Sequence, residues 1–263
     1  MSLAERSLDA ATGIVTITLN RPEVLNAIDV PLAEALRDAV VPLAGDPRVR
    51  AVVLRGNGRA FVAGGDLTGF AKDFDAAPGV VDALLDSLHA VVETLRGIDA
   101  PVIASVHGAV AGAGLSLMAA CDLVVAAAGT RILLAYDRIG AAPDCGGTYF
   151  LPRLLGLRRA AQLMFLSETL DADAALAAGL VTRVVPADQL ATATDELARR
   201  IASGPTQAFG NYKRLVEGTF DRSLPEQLEA ERACFKSATL TADFREGVSA
   251  FLAKRPATFK GSH

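Results

Sequence analysis

Two runs of small residues follow directly on apolar stretches. Gly56, Gly58, Gly64 and Gly65 come after residues 51–54, and His107-Gly108-Ala109-Val110-Ala111-Gly112-Ala113-Gly114 comes after residues 102–106. Such loops suit three chemistries. A phosphate cradle lacks its spacing here, because no GxxxxGK[ST] occurs and Gly112 and Gly114 have Leu117 where GxGxxG needs its third glycine. A serine hydrolase elbow fails as well. Gly114-Leu115-Ser116 begins GxSxG, but Met118 replaces the last glycine and only His263 follows Ser116 as a possible base. Presentation of backbone N–H groups at a helix N-terminus remains, and it suits a developing oxyanion, with one donor from each loop. The competing role for these glycines is to permit close packing.

Metal chemistry is poorly supplied. Cys121, Cys145 and Cys234 show no CxxC spacing, and His89, His107 and His263 show no HExxH pairing, so no metal site is expected and a reducing compartment is. A net charge of −4 with no basic run gives no footprint for nucleic acid. The first ten residues, MSLAERSLDA, carry acids and no apolar core, which reads as neither signal nor transit peptide, and cytoplasmic residence is the default. Residues 100–121 contain no Asp, Glu, Lys or Arg and have the length of a membrane span. Pro101, Ser105, His107 and the glycines punctuate them, however, so they parse as buried strand, glycine turn and buried helix, with no membrane partner.

The elements that must hold these loops alternate. Residues 14–19 (IVTITL), 51–54 (AVVL), 102–106 (VIASV) and 123–126 read as strands, the last three covered on both faces. Asp29-Val30-Pro31 opens a helix with an acidic cap and an early proline, closed by Gly45-Asp46-Pro47, and residues 80–95 form another of about four turns. Beyond about residue 188 only helices are signalled, over 189–201, 206–216, 225–237 and 242–253. The fold class is α/β, with parallel strands joined by helical crossovers. The division expected is a body over 1–190 and a helical region over 191–263. A 27.3 kDa chain can bury about 72% of its extended surface, so no staple is needed.

Several ordered motifs then resemble the crotonase, or enoyl-CoA hydratase/isomerase, superfamily over nearly the whole chain. They are Arg21-Pro22 with Leu25-Asn26-Ala27; Ala60-Phe61-Val62-Ala63-Gly64-Gly65-Asp66-Leu67; Pro101 to Gly108 with Ala111-Gly112-Ala113-Gly114; Cys121-Asp122-Leu123; Pro143-Asp144-Cys145-Gly146-Gly147-Thr148; Ala177 to Val181; and Ala250-Phe251 with Lys254-Arg255. The resemblance implies a spiral of ββα turns with C-terminal helices that assemble a trimer or a dimer of trimers. It implies an acyl-CoA substrate and no further cofactor, the coenzyme A arriving as the thioester. By position, the N–H groups of Gly65 and Ala113 become the oxyanion hole, Ala113 standing where glycine is usual. Ala63, Asp66, Leu67, Ser116 and Tyr136 fall among substrate-binding positions, and Phe251 and Lys254 match positions that reach the CoA of a neighbouring subunit.

The two glutamates with which the family's hydratases activate water fall here at Ser116 and Tyr136. Serine has no activator, and tyrosine titrates too high to serve as base. Asp144, in contrast, stands at or near the acid/base position of members that move double bonds, among them 3-enoyl-CoA and epoxyphenylacetyl-CoA isomerases. An apolar surround of Tyr149, Phe150 and Leu151 is expected to make it a competent base. Its competing role is to cap the helix ahead of Gly146-Gly147. Tyr136 then shapes the acyl pocket or hydrogen-bonds Asp144, Asp137 is a solvated or paired charge, and His107 is structural. His89, on an apolar helix, reads as a satisfied core residue, though aryl-CoA dehalogenases of the family pair a histidine there with an aspartate at 144. The reading is an acyl-CoA isomerase with Asp144 as its single acid/base. An atypical hydratase, a dehalogenase and a non-catalytic acyl-CoA-binding subunit are the alternatives.

Overall fold

The computed structural model describes residues 2–261. In chain order the strands are β1 (Ala4–Asp9), β2 (Ile14–Leu19), β3 (Ala51–Gly56), β4 (Val102–Val106), β5 (Ala109–Ala111), β6 (Leu123–Ala127), β7 (Arg131–Leu133), β8 (Thr169–Asp171) and β9 (Arg183–Val185). The main sheet has the order β1-β2-β3-β4-β6-β9, and a small second sheet has the order β5-β7-β8. From β2 to β9 the main sheet is parallel.

The expected covered strands are present, because residues 51–54 send alternate side chains to two different cores, as the two-residue period of a strand requires. Val52 and Leu54 face the Val30–Val40 and Ala77–Gly97 helices through Leu36, Leu88 and Val91. Ala51 and Val53 face the Leu190–Ala202 helix through Leu190, Ala193 and Ala198. That helix therefore covers the second face of the sheet, although it lies in the region expected to be an appendage. The Val30–Val40 helix starts as expected, with the Asp29 carboxylate accepting from the Leu32 N–H at 2.9 Å.

Five strands depart from the sequence expectation. β1 pairs antiparallel with β2 through a hairpin turned at Gly13, whose φ is 72°, and its polar, exposed residues carry no apolar alternation. β5, β7, β8 and β9 have three residues each, too few to show a period. β5 removes Ala109–Ala111 from what reads as one continuous glycine loop, and this separates the donor at Ala113 from the His107-Gly108 turn.

The C-terminal helices Thr206–Glu217, Leu224–Ala238 and Ala242–Leu252 are tied to the body by a buried lysine. Lys213 Nζ donates to the Leu95 and Ala100 carbonyls at 2.9 and 3.2 Å and lies 3.0 Å from Asp122 Oδ2. Arg96 joins Asp122 to Glu217 across the same gap. Burial pushes the Lys213 ammonium below its ordinary value while the Asp122 charge opposes that shift. Among the described residues no helix is long and apolar enough to cross a membrane, and no group of three or more His, Cys, Asp or Glu is placed to hold a metal ion. Lys213→Ala takes the ammonium from the Leu95 and Ala100 carbonyls and leaves Asp122 Oδ2 with the Val102 N–H alone, and about 3 kcal/mol of stability should be lost in thermal or denaturant unfolding. An unchanged unfolding midpoint would show that the tie is not structural.

Candidate active site

Three chain segments converge on one site. In the first, Val62 bridges β5 at Val110, and Gly65 bridges Ile28, both in the parallel sense. The bonds to the second partner run from Ile28 N–H to Gly64 O and from Asp66 N–H to Ile28 O, each 2.8 Å. They flank Gly65, so its own N–H points away from that partner. In the second segment, Gly112, with φ of 52°, opens the Ala113–Ala119 helix, and Ala113 as first helical residue has no acceptor within the helix. Among the described residues neither the Gly65 nor the Ala113 N–H donates to any protein acceptor. A Cβ placed on Gly112 would lie 3.5 Å from Gly64 Cα, so the two loops are in van der Waals contact and offer their free donors side by side. This is the arrangement a developing oxyanion requires.

The framework around Gly65 is ionic and amidic. Arg21 Nη1 donates to the Ala27 carbonyl and to Asp66 Oδ2, both at 2.8 Å, while Nη2 lies 3.2 Å from Asp29 Oδ2. The Thr68 hydroxyl, first, and the Arg21 guanidinium hold the Asp66 carboxyl below the usual carboxylate range. The Asp66 side chain, expected among the substrate contacts, is thus directed to Arg21 and Thr68 and braces the strand that carries Gly65. Asn26 is fully buried with φ of 55°, and its amide nitrogen reaches the Asn57, Ala60 and Phe61 carbonyls. Ala63 is half-buried with its N–H bonded to Leu25 O, and Leu67 is exposed at the start of the Thr68–Lys72 helix. The Arg21–Asp66 clamp spans a sequence separation of 45 with no local signature. Asn26 was visible only as a motif residue.

The third segment brings the carboxylate. Gly112 N–H donates to Leu133 O of β7 at 3.2 Å, and Ala135, with φ of 64°, then turns the chain into a short 3₁₀ turn, Tyr136–Ile139. Tyr136 is buried, its ring lies 3.9 Å from where a Gly112 Cβ would be, and its hydroxyl donates to Asp144 Oδ1. Asp144 precedes a tight turn in which Cys145 and Gly146 both have positive φ and Gly147 N–H returns to Asp144 O at 2.9 Å. The capping role does not hold. The Gly147–Leu155 helix begins after Gly146 with no side-chain cap, and the Asp144 carboxylate faces Tyr136 instead. Burial, then the Asp144 charge, push the Tyr136 phenol up, so it remains a protonated donor; the Cys145 thiol is pushed up by the same two causes.

Ser116 requires a correction. Its side chain is completely enclosed, its hydroxyl has no partner, and a Cβ on Gly147 would come 2.6 Å from Ser116 Oγ. It lies one helical turn beyond Ala113 and projects beneath the Gly146-Gly147 turn, so it presents no atom to a ligand. His89 is also corrected, being exposed on the Ala77–Gly97 helix rather than buried in the core. His107 is structural, with Nε2 2.9 Å from Gly58 O. Asp137 is paired, accepting from the Ser167 hydroxyl. Phe251 and Lys254 are exposed at the end of the Ala242–Leu252 helix, and no hydrogen bond or ion pair among the described residues joins them to Gly65, Ala113 or Asp144.

Residues 9–262 match the enoyl-CoA hydratase/isomerase family, and the chain belongs to it. It is 38% identical to the 1,2-epoxyphenylacetyl-CoA isomerase of Escherichia coli (strain K12), with 95% of each chain covered. It is 33% identical to the trans-2-decenoyl-[acyl-carrier-protein] isomerase of Streptococcus mutans, over 99% of this chain and all of that one. An enoyl-CoA hydratase from Polaromonas sp. JS666 superposes with a TM-score of 0.91 at 31% identity, over 98% of this chain and 99% of that one.

The close approach of Ser116 and Gly147 gives a coupled expectation. Ser116→Ala removes an unsatisfied buried hydroxyl, and the unfolding midpoint should stay level or rise. Gly147→Ala should cost about 1–3 kcal/mol by overpacking, and markedly less in the Ser116→Ala background. Additive losses in the double variant would refute the contact.

Proposed function

We propose that the protein is an acyl-CoA isomerase that converts a 3-enoyl thioester to its 2-enoyl isomer, with Asp144 as the single general acid/base. The observation that carries this reading is that the Asp144 carboxylate, unlike Asp66, which Arg21 and Thr68 hold, pairs with no cation among the described residues. Asp144 faces the Tyr136 hydroxyl beside the Gly112 loop, whereas the two positions that resemblance gives to the hydratase glutamates hold an enclosed serine and a protonated tyrosine. A 1,3 proton shift needs only one such group. Asp144 removes a proton from C2, and the thioester oxygen takes up the dienolate charge facing the Gly65 and Ala113 N–H groups. The carboxyl then delivers the proton to C4, and the double bond comes to rest between C2 and C3. No step in this sequence needs a metal or an activated water.

Self-association belongs to the same proposal. Phe235, Phe251 and Leu252 on the C-terminal helices and Leu240 in the turn between two of them are 67–83% exposed, and a trimer or dimer of trimers would cover them.

The test is mass spectrometry and ultraviolet absorbance of purified protein with 3-enoyl-CoA and, separately, 2-enoyl-CoA. Conversion of the first at unchanged mass is expected, and Asp144→Ala should lower kcat by about 10²–10⁴ while the fold is kept. Addition of one water to 2-enoyl-CoA that persists in Asp144→Ala would replace this reading with a hydratase. Thioester binding without any product would replace it with a non-catalytic acyl-CoA-binding subunit.

A further inference from the structure

Tyr136 occupies a place in the fold that the functional reading does not use. One short stretch, from Leu133 to Tyr136, does two things. Its Leu133 carbonyl accepts the N–H of Gly112, the residue before the Ala113 donor, and its Tyr136 hydroxyl donates to Asp144 Oδ1. Between the two, Ala135 holds a left-handed backbone conformation that a non-glycine residue adopts only under constraint, and the Tyr136 ring is packed against Gly112. The oxyanion loop and the base are therefore set by the same four residues.

The Cys145 thiol faces the Asp144 carboxylate as a protonated group, and Ser116 on the Ala113–Ala119 helix is enclosed and uncharged; the other carboxylate nearby in sequence, Asp137, accepts from the Ser167 hydroxyl at Oδ2 and leaves its buried Oδ1 without a partner. Among the described residues no cation pairs with Asp144, and the Tyr136 hydroxyl is the O–H donor to it.

We propose that Tyr136 is a positioning residue of the isomerase: by donating to Oδ1 it locks the Asp144 carboxylate so that Oδ2 alone takes the proton from C2 and returns it to C4. This rests on the isomerase reading and deepens it. The C2–H electron pair passes into the dienolate, the proton rests on Oδ2, and the C4–H bond forms from that same proton on the same face of the substrate. With rotation of the carboxyl group blocked, the proton has little opportunity to exchange with solvent before it is returned.

Tyr136→Phe keeps the ring against Gly112 and removes only the hydroxyl. Relative to wild type at matched stability, kcat should fall about tenfold with KM nearly unchanged. In deuterium oxide, the fraction of product that retains the original C2 proton at C4 should drop. A Tyr136→Phe enzyme with wild-type proton retention overturns the proposal. So does a loss confined to KM. Proton NMR of the hydrogen-bonded phenol reads the contact without turnover: a downfield signal lost in both Tyr136→Phe and Asp144→Asn supports it, and its absence from the wild type refutes it. A wild-type enzyme without isomerase turnover would remove the functional reading and leave that signal as a separate result.

Discussion

Two backbone N–H groups left without acceptors govern the rest of this structure. A backbone donor without a partner forgoes a hydrogen bond, with a desolvation penalty added at buried Ala113 though not at exposed Gly65, and each keeps a defined direction only because surrounding contacts hold it rigidly. At Gly65 that rigidity comes from parallel pairing with Ile28 on both sides, from Arg21 clamping Ala27, Asp29 and Asp66, and from Asn26 gathering three carbonyls of the preceding loop. At Ala113 it comes from the start of a helix whose every residue is buried. Neither loop is flexible in the sense its glycines suggest. The glycines let backbones approach, and Gly64 and Gly112 are close enough that a methyl on either meets the other loop.

Around those donors the chemistry depends on where a single carboxylate is delivered. Asp144 is not carried by a helix or a strand. A turn with two successive positive-φ residues, anchored by the Gly147 N–H, carries it, and Phe150 packs beneath Gly146. Arg96 lies over the Phe150 ring at 5.6 Å and also holds Asp122 and Glu217. The ionic tie that docks the C-terminal helices therefore reaches, through one aromatic ring, to the turn that presents Asp144.

Much of this was legible in the sequence, for identifiable reasons. Residues 102–106 were bounded by Pro101 and the glycine turn and formed β4 with those limits, and the even-and-odd burial of residues 51–54 followed from an uninterrupted apolar run. Asp29 announced its helix through cap chemistry joined to the early proline at Pro31. The strands that escaped are the three-residue ones, where no period can register, and β1, whose polar residues are held by backbone pairing with no apolar face to betray it. Within the site, the family resemblance pointed to the donors and to Asp144, but the direction of a side chain did not follow from it. That Ser116 turns under Gly147, that Asp66 turns to Arg21, and that His89 faces water are facts of helix phase and of partners 45 residues away, which local spacing does not encode.

The enclosure of Ser116 bears on how one proton-transfer chemistry can become another within a shared fold. A glutamate at this position would add several heavy atoms where a single methyl on Gly147 already collides with the hydroxyl that is there. Toward Gly147 such a side chain would press on the 143–147 turn, and that turn carries Asp144. The size of residue 116 and the position of Asp144 are thus coupled through one glycine.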